Sequence, residues 1–241
     1  MKNAHRFSFL PVLLALVITA FRLHPTDERQ RQIREVAAFT EVELAGASRV
    51  VLTQGSPQKV EIEGPAAAVA RFEASVKKGR LYLADQPAPG GRPYSGDRDG
   101  TVTVYITAPT LTALSVSGSG ELVVEGPLKT DALSLALSGS GGMRVAALTA
   151  NALQTAATGS GNITLGGEVP TLSVAMSGSG NLMAKRLKTK TASISLSGSG
   201  NAGLFVSGEL NAALKGSGNV SMAGGATVRS STQGSGHVRQ E

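Results

Sequence analysis

The segment Leu172-Ser173-Val174-Ala175-Met176-Ser177-Gly178-Ser179-Gly180-Asn181-Leu182-Met183-Ala184 decides the fold. On either side of its Gly-Ser-Gly centre, apolar residues alternate with small or polar ones. A period of two marks a strand with one buried face. A helix would space its apolar residues three and four apart, and this segment does not.

The same triplet recurs along the chain. It occurs seven times, as Gly118-Ser119-Gly120, Gly139-Ser140-Gly141, Gly159-Ser160-Gly161, Gly178-Ser179-Gly180, Gly198-Ser199-Gly200, Gly216-Ser217-Gly218 and Gly234-Ser235-Gly236. Successive first glycines lie 21, 20, 19, 20, 18 and 18 residues apart. Repeats of this length build solenoids. Two, four and six residues before each first glycine, and four and six after it, the repeats provide 35 positions, of which 30 are apolar. The intervening positions are small or polar. Three before the triplet, every residue is Ser or Ala: Ser115, Ala136, Ala156, Ala175, Ser195, Ala213 and Ser231.

Two strands joined by Gly-Ser-Gly make either a hairpin or a corner. The small Ser/Ala column favours the corner, because stacked rungs bring identical residues to a strand spacing of about 4.8 Å. The expected fold is therefore all-β: a parallel β-helix, right-handed by the general crossover preference, of about seven Gly-Ser-Gly-cornered repeats. Glycine permits the sharp turn at positive φ. After the corner come Asn162, Asn181, Asn201 and Asn219. Asn tolerates left-handed backbone and bonds its own turn, and stacked Asn side chains form ladders. The column reads as structural.

The remaining chain frames the repeats. Aromatic residues make up 4% and Trp is absent, which suits a narrow aliphatic core. Cysteine is also absent, which excludes disulfides and thiolate metal sites. Residues 1–21 carry Lys2 and Arg6 ahead of an apolar run from Phe7 to Phe21. That run is short for a membrane span and reads as a secretory signal with cleavage near Ala20. Membrane contact is expected only through an uncleaved N-terminus. Residues 22–37 read as a linker and 38–241 as one domain. Within it, Phe39–Leu44, Arg49–Thr53, Lys59–Glu63, Arg80–Leu83 and Thr101–Thr107 read as strands. Pro65–Val76 reads as a helix stopped by Gly79, and residues 85–100 as a loop. The stretch 38–110 is expected to form the first rungs and cover the open end. Arg239 and Glu241 would guard the other end against edge pairing.

The net charge of +6 includes a cluster at Lys185, Arg186, Lys188 and Lys190. Such a patch suits anionic polysaccharide, lipopolysaccharide phosphate or nucleic acid. Without interleaved aromatics a nucleic-acid groove is not expected, and the simplest reading is a solvated corner.

The chain carries no motif in the context that catalysis or metal binding requires. Gly198 to Gly203 fits G-x-G-x-x-G, but Leu204-Phe205-Val206 continues as strand where a helix N-terminus would be needed. A calcium roll needs a carboxylate per turn, and Asp131 is the only Asp after residue 100. The acids Glu121, Glu125, Asp131, Glu168, Glu209 and Glu241 fall at different phases of the repeat, so no catalytic pair forms. His5, His24 and His237 cannot make a site. No cofactor, metal or catalytic residue is expected, and no enzyme.

Certain residues resemble the bacterial family called the head GIN domain of putative auto-transporter adhesins. They are Phe39-Thr40-Glu41-Val42-Glu43-Leu44, Val60-Glu61-Ile62-Glu63-Gly64, Arg80-Leu81-Tyr82-Leu83, Val102-Thr103-Val104-Tyr105-Ile106, Pro109-Thr110-Leu111 and the tandem Ser-Gly-Ser-Gly-Asn units. The resemblance spans about residues 38–241. It implies an exported, β-helical protein of the cell envelope. The expected function is binding, to a glycan or another envelope component, in the periplasm, at the outer surface or secreted. The alternatives are a structural spacer without ligand and, third, a glycan-cleaving enzyme acting through Glu121 and Glu125.

Overall fold

The two arms of each Gly-Ser-Gly unit are strands that do not pair with each other. In the computed structural model, which describes residues 29–87, 90 and 100–241, β10 (Ala132–Gly139) enters a corner and β11 (Gly142–Thr149) leaves it. β10 lies parallel between β8 (Ala113–Gly118) and β12 (Ala152–Gly159), with Gly139 opposite both Gly118 and Gly159. β11 lies parallel between β9 (Glu121–Lys129) and β13 (Asn162–Glu168). The pattern continues through β14 (Thr171–Gly178), β15 (Asn181–Gly198), β16 (Asn201–Gly216), β17 (Asn219–Ala223), β18 (Thr227–Gly234) and β19 (Val238–Gln240). This is the expected parallel solenoid. Its seven corners bound about six turns.

The five apolar columns point inward. In the rung around Gly198, Ala192, Ile194, Leu196, Ala202 and Leu204 are all buried. Burying a side chain such as Leu196 contributes about 1.5–3 kcal/mol. A third, short side completes each turn with Leu148, Val169, Leu187 and Val206, also buried. The repeat columns do not reveal this side, because register shifts separate it from the strand before it, as between Val145 and Leu148. The variable repeat length is absorbed there.

The Ser/Ala column faces outward, and Ala136, Ala156, Ala175, Ser195 and Ala213 are exposed. Neighbouring outward positions hold Gln154 and Lys215, so rung spacing does not itself demand small residues. The corner follows instead from the glycines. The first glycine of every triplet has φ between +105° and +125°. At Gly178 a β-carbon would also lie 2.3 Å from the Gly159 carbonyl oxygen. Gly180 is not left-handed, yet a β-carbon there would lie 2.2 Å from the Gly161 oxygen. The corner amides cause this close approach: Ser179 and Gly180 both donate to the Gly159 carbonyl, at 2.9 and 3.0 Å. The asparagines that follow are extended rather than left-handed; Lys78 is the only non-glycine with positive φ among the described residues.

The N-terminal part supplies the first rung and its cover. β2 (Glu41–Gly46) and β3 (Arg49–Gln54) stack on β8 and β9 with Gly46 opposite Gly118. Gly46-Ala47-Ser48 thus replaces Gly-Ser-Gly. Among the described residues no earlier rung offers a carbonyl to this corner, and Asp85 takes over that role. Its Oδ2 accepts from the Ala47 N–H at 2.9 Å and its Oδ1 from the Ser48 hydroxyl at 2.5 Å. Asp85 ends β6 (Arg80–Asp85), parallel to β2, and β5 (Phe72–Lys77) runs antiparallel to β6. On the other side β7 (Thr103–Ala108) covers β3, β4 (Lys59–Pro65) covers β7, and β1 (Arg29–Ile33) covers β4.

Two details differ from the expected elements. The helix is α1 (Ala66–Arg71) alone, with Pro65 as its N-cap. Residues 72–76 belong to β5, whose apolar residues pack on the core. Residues 29–33, within the segment read as linker, form β1, and Arg29 and Arg31 pair with Glu63 and Glu61. The expected signal at 1–21 and most of the expected loop, including Asp97-Arg98-Asp99, lie outside the described residues.

Candidate ligand groove

The site begins with a bulge. In β15 three residues, Lys185, Arg186 and Leu187, intervene between Ala184 and Lys188, which pair with consecutive Leu204 and Phe205 of β16. Extra residues of this kind re-aim side chains out of a sheet. The rungs on either side are pared down: Gly166 lies opposite Arg186, and Gly203 opposite Met183. The result is a groove of about 740 Å³ along the solenoid axis. Thr164, Gly203 and Ser221 form its floor, Lys185 and Arg186 one wall, and Asn162, Asn181, Asn201 and Asn219 the other. Met183 stands in it, 51% exposed.

The Asn wall is a hydrogen-bonded ladder. Asn181 Nδ2 donates to Asn162 Oδ1 at 3.0 Å, Asn201 Nδ2 to Asn181 Oδ1 at 3.3 Å, and Asn219 Nδ2 to Asn201 Oδ1 at 3.3 Å. The ladder ends where the His237 N–H donates to Asn219 Oδ1 at 3.2 Å. A carboxamide has two N–H donors, and the ladder takes one from each of Asn181, Asn201 and Asn219. The second N–H of each makes no hydrogen bond among the described residues, and it recurs over three successive rungs.

The basic cluster divides. Lys185 and Arg186 line the groove. Lys188 and Lys190 flank the buried Thr189 beyond the bulge and do not line it. Lys185 Nζ reaches Glu241, with 2.8 and 2.7 Å to its two oxygens, and this hydrogen bond holds the Glu241 carboxyl below the usual glutamate range. Among the described residues, no acidic side chain lines the groove. Glu121 and Glu209 are occupied by Arg49 and Arg229. The 14 corner glycines shape the backbone turns and their close approach to the neighbouring rung. Sequence alternation singled out the Asn column, but the bulge that makes a groove beside it shows only when rungs of unequal length are aligned.

The model of the family described as "Putative auto-transporter adhesin, head GIN domain" matches residues 38–226. The chain belongs to this family. Solved structures show the same fold. A putative adhesin from Bacteroides fragilis is 24% identical, with a TM-score of 0.81 over 90% of this chain and 99% of that one. A putative lipid binding protein from Parabacteroides distasonis is 17% identical, with a TM-score of 0.70 over 90% and 98%. A putative adhesin from the same species is 22% identical, with a TM-score of 0.68 over the same shares. No curated protein matches this chain. None of these names describes an enzyme, and the family description is that of an adhesin.

Proposed function

We propose that this head GIN domain is an exported, non-enzymatic module that binds an extended glycan of the cell envelope along the groove beside the Asn ladder. The observation that carries this reading is the ladder itself: amide donors repeated in a row at one wall of an open groove. Rungs lie about 4.8 Å apart, and a sugar in an extended chain advances by about that distance. One hydroxyl per sugar can then meet one amide per rung. Met183 offers an apolar surface to a sugar's C–H face. Each contact is weak, and affinity accumulates over successive rungs. Wild type and the Asn181→Ala/Asn201→Ala variant on a glycan array test the reading. Wild type should bind a defined glycan set and the variant, equally folded by circular dichroism, should lose it. Equal binding by both would place the site elsewhere, and no binding by wild type would leave a spacer role.

The competing occupant is an acyl chain, favoured by the exposed thioether side chain of Met183 in the groove. Displacement of a fluorescent fatty acid by the same glycans separates the two.

A further inference from the structure

Lys185 is not simply a basic residue at the groove wall. Its stem crosses the groove over Gly203, where a β-carbon would lie 3.2 Å from Lys185 Cε and 3.3 Å from Cγ. Its ammonium then clamps the carboxylate of Glu241, which comes from the last rung. The Glu241 backbone is fixed at the groove's end by its N–H, which donates to the Met222 carbonyl at 2.9 Å. Side-chain exposures of 46% for Lys185 and 42% for Glu241 make this an open ion pair, of a kind that contributes little to stability. Beside it, Arg186 has no hydrogen-bonded or ion-paired partner among the described residues.

We infer that the groove selects glycans bearing carboxylates, such as uronates, and that Glu241 is a built-in competitor occupying the ligand carboxylate's place on Lys185. This rests on the glycan reading above. An incoming uronate carboxylate exchanges with that of Glu241 on Lys185, and a second uronate meets the forked donors of Arg186. Its ring hydroxyls meet the free amide N–H groups of the Asn ladder. Because the exposed pair is weak, exchange is cheap. Because Glu241 is tethered, it still lowers the apparent affinity by the fraction of molecules in which Lys185 is occupied.

Calorimetric titration with hexagalacturonate, and with the same oligomer after reduction of its carboxylates to alcohols, tests this. Glu241→Gln, a surface change, should tighten binding of the acidic oligomer by about three- to tenfold and leave the reduced oligomer unchanged. Lys185→Gln should reduce the preference for the acid, and Lys185→Gln/Arg186→Gln should remove it. Unchanged affinity in Glu241→Gln would overturn the competitor. Equal binding of both oligomers by wild type would overturn the carboxylate preference while leaving the glycan reading intact. Retention of all binding by Asn181→Ala/Asn201→Ala would instead overturn the glycan reading at this groove.

Discussion

A single β-carbon at Gly180 would collide with backbone that the corner hydrogen bonds hold in place, whereas at Gly142 the nearest atom would be 3.8 Å away. Gly180→Ala should therefore destabilise the domain by about 1–3 kcal/mol and lower its melting temperature. Gly142→Ala should stay within about 0.5 kcal/mol of wild type. Thr155 occupies an inward column that holds Leu114, Leu135, Val174, Ile194 and Ala212 in other rungs and Ser230 in the last. It is buried, and its hydroxyl has no hydrogen-bond partner. Thr155→Val removes that uncompensated group and should stabilise by about 1 kcal/mol or more in chemical denaturation. All three can be placed in the repeat columns from the sequence. Whether each is costly was not legible there, because the cost depends on the neighbouring rung. Asp85 gave no signal at all: its role at the Ala47 corner arises only when β6 stacks on β2.

At the scale of elements, strands with one buried face were legible and mixed ones were not. β2, β3, β4, β6 and β7 alternate clearly. Phe72–Lys77 follows an Ala-rich run and so reads as more helix. Its partner strand and the Lys78-Gly79 turn, with φ of 51° and 76°, make it a hairpin arm. β1 reads as linker because its charges are surface charges. Those charges hold it to the cap, since Arg31 reaches Glu61 at 3.1 Å and Arg29 reaches Glu63 at 3.3 Å, while Lys59 of β4 itself meets Glu61 at 2.9 Å. The Lys59 bond, more than Arg31, holds the Glu61 carboxyl below the ordinary value of 4.5 against the opposing effect of partial burial. A lowered folded-state pKa gives stability that is full above the ordinary value and lost as pH falls through the lowered one. The difference in melting temperature between wild type and Glu61→Gln should therefore be present at neutral pH and close as pH drops below 4.5. A gap that persists in acid would show that this pairing is not its source.

Across the whole molecule, each rung is stabilised by its neighbours. The N-terminal end is covered by five strands and a helix. The last rung has one neighbour and carries Ser230, Thr232 and Gln240 at inward positions, with nearly all of β18 exposed. Hydrogen exchange should be fastest in β18 and β19 and slowest in the middle rungs; uniform protection would contradict neighbour-by-neighbour stability. The solenoid was legible because the same columns recur seven times. The groove was not, since it needs one long rung beside two trimmed ones, and the sequence shows only their unequal lengths. The central claim is that ligand lies along the Asn ladder rather than on the flat Ser/Ala face. Nuclear magnetic resonance, following backbone and side-chain amides and Met methyls during titration with surface polysaccharide from the native host, tests it most directly. The expected result is shifts at Asn162, Asn181, Asn201, Asn219 and Met183, with Ser115, Ala136, Ala156, Ala175 and Ser195 unmoved. Shifts confined to the Ser/Ala column would contradict it.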